Sequence, residues 1–221
     1  MTYLASALLS FTIAIPLVVA LARVHKIRAS YFPFMVLLLL AFTTELASEI
    51  SLRLTQENTI INNIYTLLEP AVILWQFYAW GFLRRRKGLL IVLSSLCFIT
   101  WTVENIAFQR LETDFCSASV FVNSLIIAFL CINEINALIA SYSGHLFRNA
   151  RFLICLALMI MSIYSLITEG TLLIDPDNAV VSTRIFNIYS FTNAFVNIVY
   201  AIAVFLIPVR DDYYFSRRFK A

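Results

Sequence analysis

Seven stretches of the chain, 3–22, 32–53, 61–83, 89–109, 117–142, 151–174 and 185–208, are apolar apart from isolated polar positions. Each is long enough to cross roughly 30 Å of hydrocarbon as a helix. They predict an all-α polytopic membrane protein whose residues 1–221 form a single seven-helix transmembrane domain. Polar positions inside the spans follow the helical period. With about 100° between successive residues, Asn62, Tyr65, Thr66, Glu69 and Gln76 fall on one stripe of the third span. Tyr189, Ser190, Asn193, Asn197 and Tyr200 form a matching stripe in the seventh, and Asn63-Ile64-Tyr65 recurs as Asn187-Ile188-Tyr189. One span earlier in each case, Glu169 falls on Glu49, Ser165 on Glu45 and Thr168 on Ser48. The pattern reads as a three-plus-one-plus-three plan, a parallel internal repeat about an axis along the membrane normal.

Composition reinforces this assignment: 61% of residues are hydrophobic and 13% charged, with a mean hydropathy of +0.85. Soluble domains carry about a quarter charged residues. The first span has no basic segment ahead of it and no small-residue cleavage site behind it, so it is expected to be a retained helix and not a signal peptide. Charge then orients the chain. Arg23, Lys26, Arg28, Arg84 to Lys87, Arg148, Arg151, Arg210, Arg217, Arg218 and Lys220 fall on one side, against Arg53, Arg110 and Arg184 on the other. Because short cytoplasmic loops retain Lys and Arg, the N-terminus is expected outside and the C-terminus inside. The net charge of +3 is an orientation signal, and no nucleic-acid partner is implied. Cys97, Cys116, Cys131 and Cys155 show no CxxC spacing, which suggests neither a disulfide framework nor a thiolate metal site.

The chemistry lies in carboxylates within apolar surroundings, where ionisable groups are expensive and mark function by default. Glu45 and Glu49 are one turn apart on one face, so a cation or a shared proton is expected between them. Glu69 precedes Pro70, which removes an amide donor and clashes with the Thr66 carbonyl, predicting a kink or a freed carbonyl beside the acid. Glu104 and Glu169 again lie toward the outer side. Together Glu45, Glu49, Tyr65, Glu69, Glu104, Glu169, Asn193 and Asn197 outline an acidic ligand pocket open to the outside. Asn133 and Glu134 lie in an inner half and are candidates for a polar path through the protein.

The run Asn63-Ile64-Tyr65-Thr66-Leu67-Leu68-Glu69, preceded by a span bearing Glu45 and followed by a last span with Asn193 and Asn197, resembles uncharacterised small seven-helix membrane proteins of Bacteroidetes-type bacteria. The resemblance implies the same topology and a bacterial inner-membrane location, and brings no established activity.

The reading these features support is a ligand-binding or sensory bundle. It would take a small cationic or amine ligand from the outer side and signal through a cytoplasmic or membrane protein partner, with the lipid bilayer as its solvent. A small proton- or cation-coupled transporter is the alternative, followed by an intramembrane enzyme or a structural membrane subunit. Both histidines, His25 and His145, fall in loops, which removes a His-rich zinc hydrolase, a haem-ligating His pair and a Ser–His dyad within the bilayer. No catalytic residue, resident metal or cofactor is expected.

Overall fold

The computed structural model describes residues 3–141, 145–174 and 179–208, with side chains from 5–141, 145–171 and 188–208. The basic tail 210–221, the loop Asp175 to Asn178 and the side chains of Arg184 and Asn187 lie outside them. The described structure is helical with no strand: α1 (Tyr3–Ser10), α2 (Ala14–Ala22), α3 (Phe32–Thr55), α4 (Thr59–Ala79), α5 (Lys87–Thr102), α6 (Ser117–Ser141), α7 (Ala150–Ile174) and α8 (Ala179–Leu206). Among the described residues, six segments are long and apolar enough to span a membrane: Ala5–Ala22, Ala29–Thr55, Lys87–Ala107, Ser117–Ser141, Ala150–Thr171 and Ile188–Leu206. Helix α4 has the length but not the apolarity, because it carries Asn62, Asn63, Glu69, Pro70 and Gln76. Large apolar side chains such as Val18, Ile91, Phe98, Ile106, Phe129, Ile167 and Phe205 are exposed on the other helices. Their burial in lipid makes this a membrane protein by its surface as well as by its spans.

Successive helices run up and down. The upper end of the bundle carries Tyr3, Thr55, Thr59, Ser117 and Ile174, and the lower end carries Ala22, Phe32, Ala79, Ser141, Ala150 and Leu206. Helix α8 packs on α1, α2 and α7; α7 packs on α6; α4 joins α3 to α6; and α5 lies against α4 and α6. The apolar core fills the lower half, with Phe34, Leu38, Ile73, Phe77, Ile154, Val196 and Val204 fully enclosed.

Prolines set the local irregularities. Pro16 displaces the turn ahead of it, and residues Phe11–Ile13 tighten into a 3₁₀ turn between α1 and α2. The hydroxyl of that turn, Thr12 Oγ1, accepts a hydrogen bond from Asn197 Nδ2 at 2.9 Å. Pro70 cannot donate to Thr66 O, and that carbonyl accepts from Asn123 Nδ2 of α6, also at 2.9 Å. The freed carbonyl expected beside Glu69 is therefore present, and a neighbouring helix takes it.

The lower end is held by side chains that bond backbone. Gln76 Oε1 accepts from Phe34 N at 2.7 Å while its Nε2 donates to Ser30 O at 2.8 Å, so one α4 side chain secures the first turn of α3. Arg23 donates to Val204 O at 3.1 Å and to Phe205 O, meeting the carbonyls left open at the end of α8. Aromatic rings close together near the end of a span, as Trp75, Phe77, Tyr78 and Trp80 are, suit interfacial anchors. Phe77 instead belongs to the core, and Trp80 lies beneath the Arg151 guanidinium, 4.9 Å from its ring centroid.

Gln76→Leu keeps the volume but orphans the Phe34 amide and the Ser30 carbonyl. The expected loss is about 1–3 kcal/mol of stability, measured as reversible unfolding in mixed micelles. A loss within error would show that water reaches those groups.

Candidate functional site

Polar side chains gather in three places at the upper end and in the middle of the bundle. The first is a cleft of about 180 Å³ lined by Ser6, Ser10 and Phe11, by Glu45, Ser48 and Glu49 of α3, and by Asn58. Helical spacing places Glu45, Ser48 and Glu49 on one α3 face, and Asn58 closes the end by donating to Ser48 Oγ at 2.6 Å. Arg53 pairs with Glu49 at 2.7 Å, but its side chain is 74% exposed, so the contact is a surface pair of small energetic weight. Glu45 makes no hydrogen bond or ion pair among the described residues and keeps part of its surface open to the cleft.

The second gathering lies deeper. Tyr65 donates to Glu69 Oε1 at 3.0 Å, one turn along α4. Tyr189 and Tyr200 of α8 bring their phenols within electrostatic reach of Glu69, and Tyr189 within reach of Glu45 as well. Tyr164 and Tyr189 are ring neighbours at 5.9 Å. Tyr65 and Glu69 are half-buried, and Tyr189 is 36% exposed. Asn193 Oδ1 accepts from Asn197 Nδ2 at 3.4 Å, and Ser190 reaches Ser6 at 3.0 Å. Glu45 thus lines the cleft and also lies within electrostatic reach of this tyrosine cluster.

The third gathering is at the start of α6. Helix α5 ends in a π turn, Val103–Ala107, whose extra residue per turn carries both Glu104 and Asn105 inward, 5% and 2% exposed. Glu104 accepts from Ala118 N at 3.0 Å, Ser119 N at 2.7 Å and Ser119 Oγ at 2.6 Å, satisfying amides that open α6. Beside it, Asn63 holds the connection between α5 and α6. Its Nδ2 donates to Leu111 O at 3.0 Å and Asp114 O at 2.9 Å, and its Oδ1 accepts from Cys116 N at 3.1 Å. Burial holds the Cys116 thiol above its ordinary value, with Thr66 and Asn105 beside it acting the other way. Glu169 is 6% exposed and lies near Ser117 and Glu104.

The predicted residues therefore divide. Glu45 and Glu49 share the cleft; Tyr65, Glu69, Asn193 and Asn197 lie deeper, with Asn197 also joining α8 to the 3₁₀ turn; Glu104 and Glu169 meet at α6. Asn133 and Glu134 form no common path, for Asn133 is exposed whereas Glu134 is buried and lies 2.6 Å from Arg151 Nε. Sequence reading assigned no site to Ser6 and Ser10, which line the cleft; their one-turn spacing was the available signal. Asn58, Asn63 and Asn105 also went unassigned, since nothing local shows which backbone groups a loop will present to them. Among the described residues no three His, Cys, Asp or Glu side chains cluster as a metal site.

No family model, curated protein or solved structure matches the chain. Its function has to be argued from these side chains alone.

Removing the α6 cap tests the third gathering. Glu104→Ala leaves two amides and a hydroxyl without their acceptor, and about 2 kcal/mol of stability is expected to go with them. All four cysteines are free and buried, so native protein should resist maleimide that labels it fully once unfolded. Fast labelling of Cys116 would overturn the closed packing around Asn63.

Proposed function

We propose that the protein is a membrane-embedded binding bundle of seven crossings, α4 included, with its N-terminus outside, its C-terminus inside and its cleft open to the outer solution. Its ligand is a small amine or other organic cation. The observation that carries the reading is Glu45, a carboxylate facing the cleft with no partner among the described residues. An uncompensated carboxylate in such surroundings is stabilised by whatever cation enters, and hydroxyl groups of Ser6, Ser10 and Ser48 supply the neutral hydrogen bonds. Aromatic rings deeper in, Tyr65, Tyr164 and Tyr189, suit the apolar body and the cationic head of an organic amine. The acidic set anticipated from sequence contributes Glu45 and Glu49 at the entrance and Glu69 at the floor.

Signalling is favoured over transport by the lower end. Glu134, the one carboxylate there within the spans, is neutralised by Arg151, which also covers Trp80 and donates to its carbonyl at 3.3 Å. With Gln76 committed to α3, no polar route continues downward among the described residues, so a ligand would act by shifting helices against a cytoplasmic or membrane partner. A transporter would have to break the Glu134–Arg151 pair in its other state. The matched stripes support a parallel repeat to the extent that Gln76 and Tyr200, equivalent in sequence, both meet Phe34, by a hydrogen bond and by an edge-on ring contact at 5.2 Å.

Purified protein melted with a panel of primary, quaternary and polyvalent amines should be stabilised by at least one class, with the shift reduced tenfold or more in apparent affinity by Glu45→Gln. Identical melting with every amine, or an undiminished shift in the variant, refutes the reading. Uptake of that amine into proteoliposomes would move the assignment to transport. Reporter fusions after Glu57 and Asn178 should report the outside, and those after Lys87 and Ala221 the cytoplasm.

A further inference from the structure

The turn between α4 and α5 carries four consecutive cations, Arg84, Arg85, Arg86 and Lys87, all exposed and absent from the described ion pairs. Among the described residues the lower end holds one carboxylate, Glu134, and Arg151 already takes it at 2.6 Å. The turn itself is a built one. Leu83 is fully buried and pins it to the core, and Gly81 supplies a φ of 97°. Arg85 N and Arg86 N donate back to Gly81 O at 3.4 Å and Leu83 O at 3.0 Å, and the Arg86 guanidinium lies over the Phe82 ring, 5.0 Å from its centroid. Four like charges are thus held together with no described anion to offset their repulsion.

Helix α5 begins inside this turn. No side chain caps it, and the first amide to bond back is Leu90 N, to Arg86 O at 3.2 Å. The amides of Lys87, Gly88 and Leu89 therefore stay open at the positive end of a 16-residue helix, where an anion is favoured. Gly88 leaves the approach to them clear, since a Cβ there would meet nothing within 4 Å. Neither a left-handed backbone nor a close neighbour inside the protein requires glycine at this position, although glycine weakens a helix. From the turn, the exposed side chains of Leu89, Val92, Leu96 and Ile99 continue along one face of α5. At about 1.5 Å per residue, Leu89 to Ile99 covers about 15 Å, half of a hydrocarbon core roughly 30 Å thick. An anion at the turn and an acyl chain along that stripe are two parts of one molecule, a phospholipid. A free phosphate would use the cations but not the stripe.

We infer that the basic turn 84–87 and the open first turn of α5 form a site for the phosphate of an anionic phospholipid, whose acyl chain lies along Leu89, Val92, Leu96 and Ile99. Guanidinium groups grip phosphate oxygens in pairs, and the α5 amides fix where the phosphate sits. The surplus charge of the turn selects a lipid of net negative charge over a zwitterionic one.

The test melts the full-length protein in a neutral detergent, at one ionic strength, with phosphatidylglycerol, with phosphatidylcholine of the same chains, or with free glycerol phosphate. Phosphatidylglycerol should raise Tm by about 3 °C or more, and the other two by roughly a third of that or less. Arg85→Gln combined with Arg86→Gln should remove most of the shift, whereas Arg148→Gln, in another connection of the same end, should keep it. If the double variant does not insert and fold, Gly88→Val decides, because it keeps every charge, places its side chain in open space and should reduce the shift by about half or more. No shift with phosphatidylglycerol, or an equal shift with phosphatidylcholine, overturns the site. An equal shift with glycerol phosphate replaces the lipid by a soluble phosphate and overturns the proposal as stated. A shift that Gly88→Val leaves intact, or that Arg148→Gln removes as fully as the double variant, reveals diffuse attraction to a basic surface and overturns the site as well. None of these melts contains an amine, so they leave the reading of Glu45 to its own variant.

Discussion

The structure depends on one constraint: in a bundle surrounded by hydrocarbon, a backbone group released from its helix must find a partner inside the protein. Pro70 releases the carbonyl of Thr66, and Asn123 on α6 supplies the donor. That single hydrogen bond fixes how α4 lies against α6, and with it the direction in which Tyr65 and Glu69 point. Pro16 acts similarly in the first span, where the 3₁₀ turn presents Thr12 to Asn197 of α8. Two bends that would otherwise weaken their helices thus become the points at which α4 and α8 are located. The two stripes that face the interior are the ones anchored in this way.

Polarity is then distributed by end. At the lower end three polar side chains are committed: Gln76 to Ser30 and Phe34, Arg23 to the end of α8, and Glu134 to Arg151, while the Trp80 indole N–H finds no acceptor. A buried ion pair of this kind adds little net stability, because desolvation offsets the attraction, but losing one partner would leave a buried charge. It closes the lower half by making it intolerant of change. The upper half holds unpartnered acceptors, with Glu45 facing a cleft and one oxygen of Glu169 facing closely packed neighbours.

Much of the fold was legible because hydrophobic length and helical period are local properties. Six of the seven apolar stretches coincide with segments long and apolar enough to span a membrane, the stretch 61–83 is the helix α4, and the consequence of Pro70 followed from covalent geometry. The site was legible only in part. Glu45 and Glu49 could be paired by their spacing, but no periodicity joins Glu104 to Ser119 or Asn63 to the segment before Cys116, since those contacts cross a loop. The π turn hid a further feature: by an ordinary α-helical period Glu104 and Asn105 point about 100° apart, so one of them should have left the core. An inserted residue brings both inward, and only the three-dimensional path of the chain reveals it.

That inserted residue explains why the junction of α5, α6 and α7 carries so many polar groups. A regular α5 would present Glu104 alone, and the amides of α6 would be sufficient for it. Turning Asn105 inward as well adds an amide whose nitrogen returns to Trp101 O at 3.1 Å while its oxygen stays unpartnered. A π turn is frequent at functional sites. Here its distinguishing product is that one unpaired oxygen on an amide beside the Cys116 thiol. Capping of α6 accounts for Glu104; it does not account for Asn105, which is the group that a regular α5 would have turned away from the core.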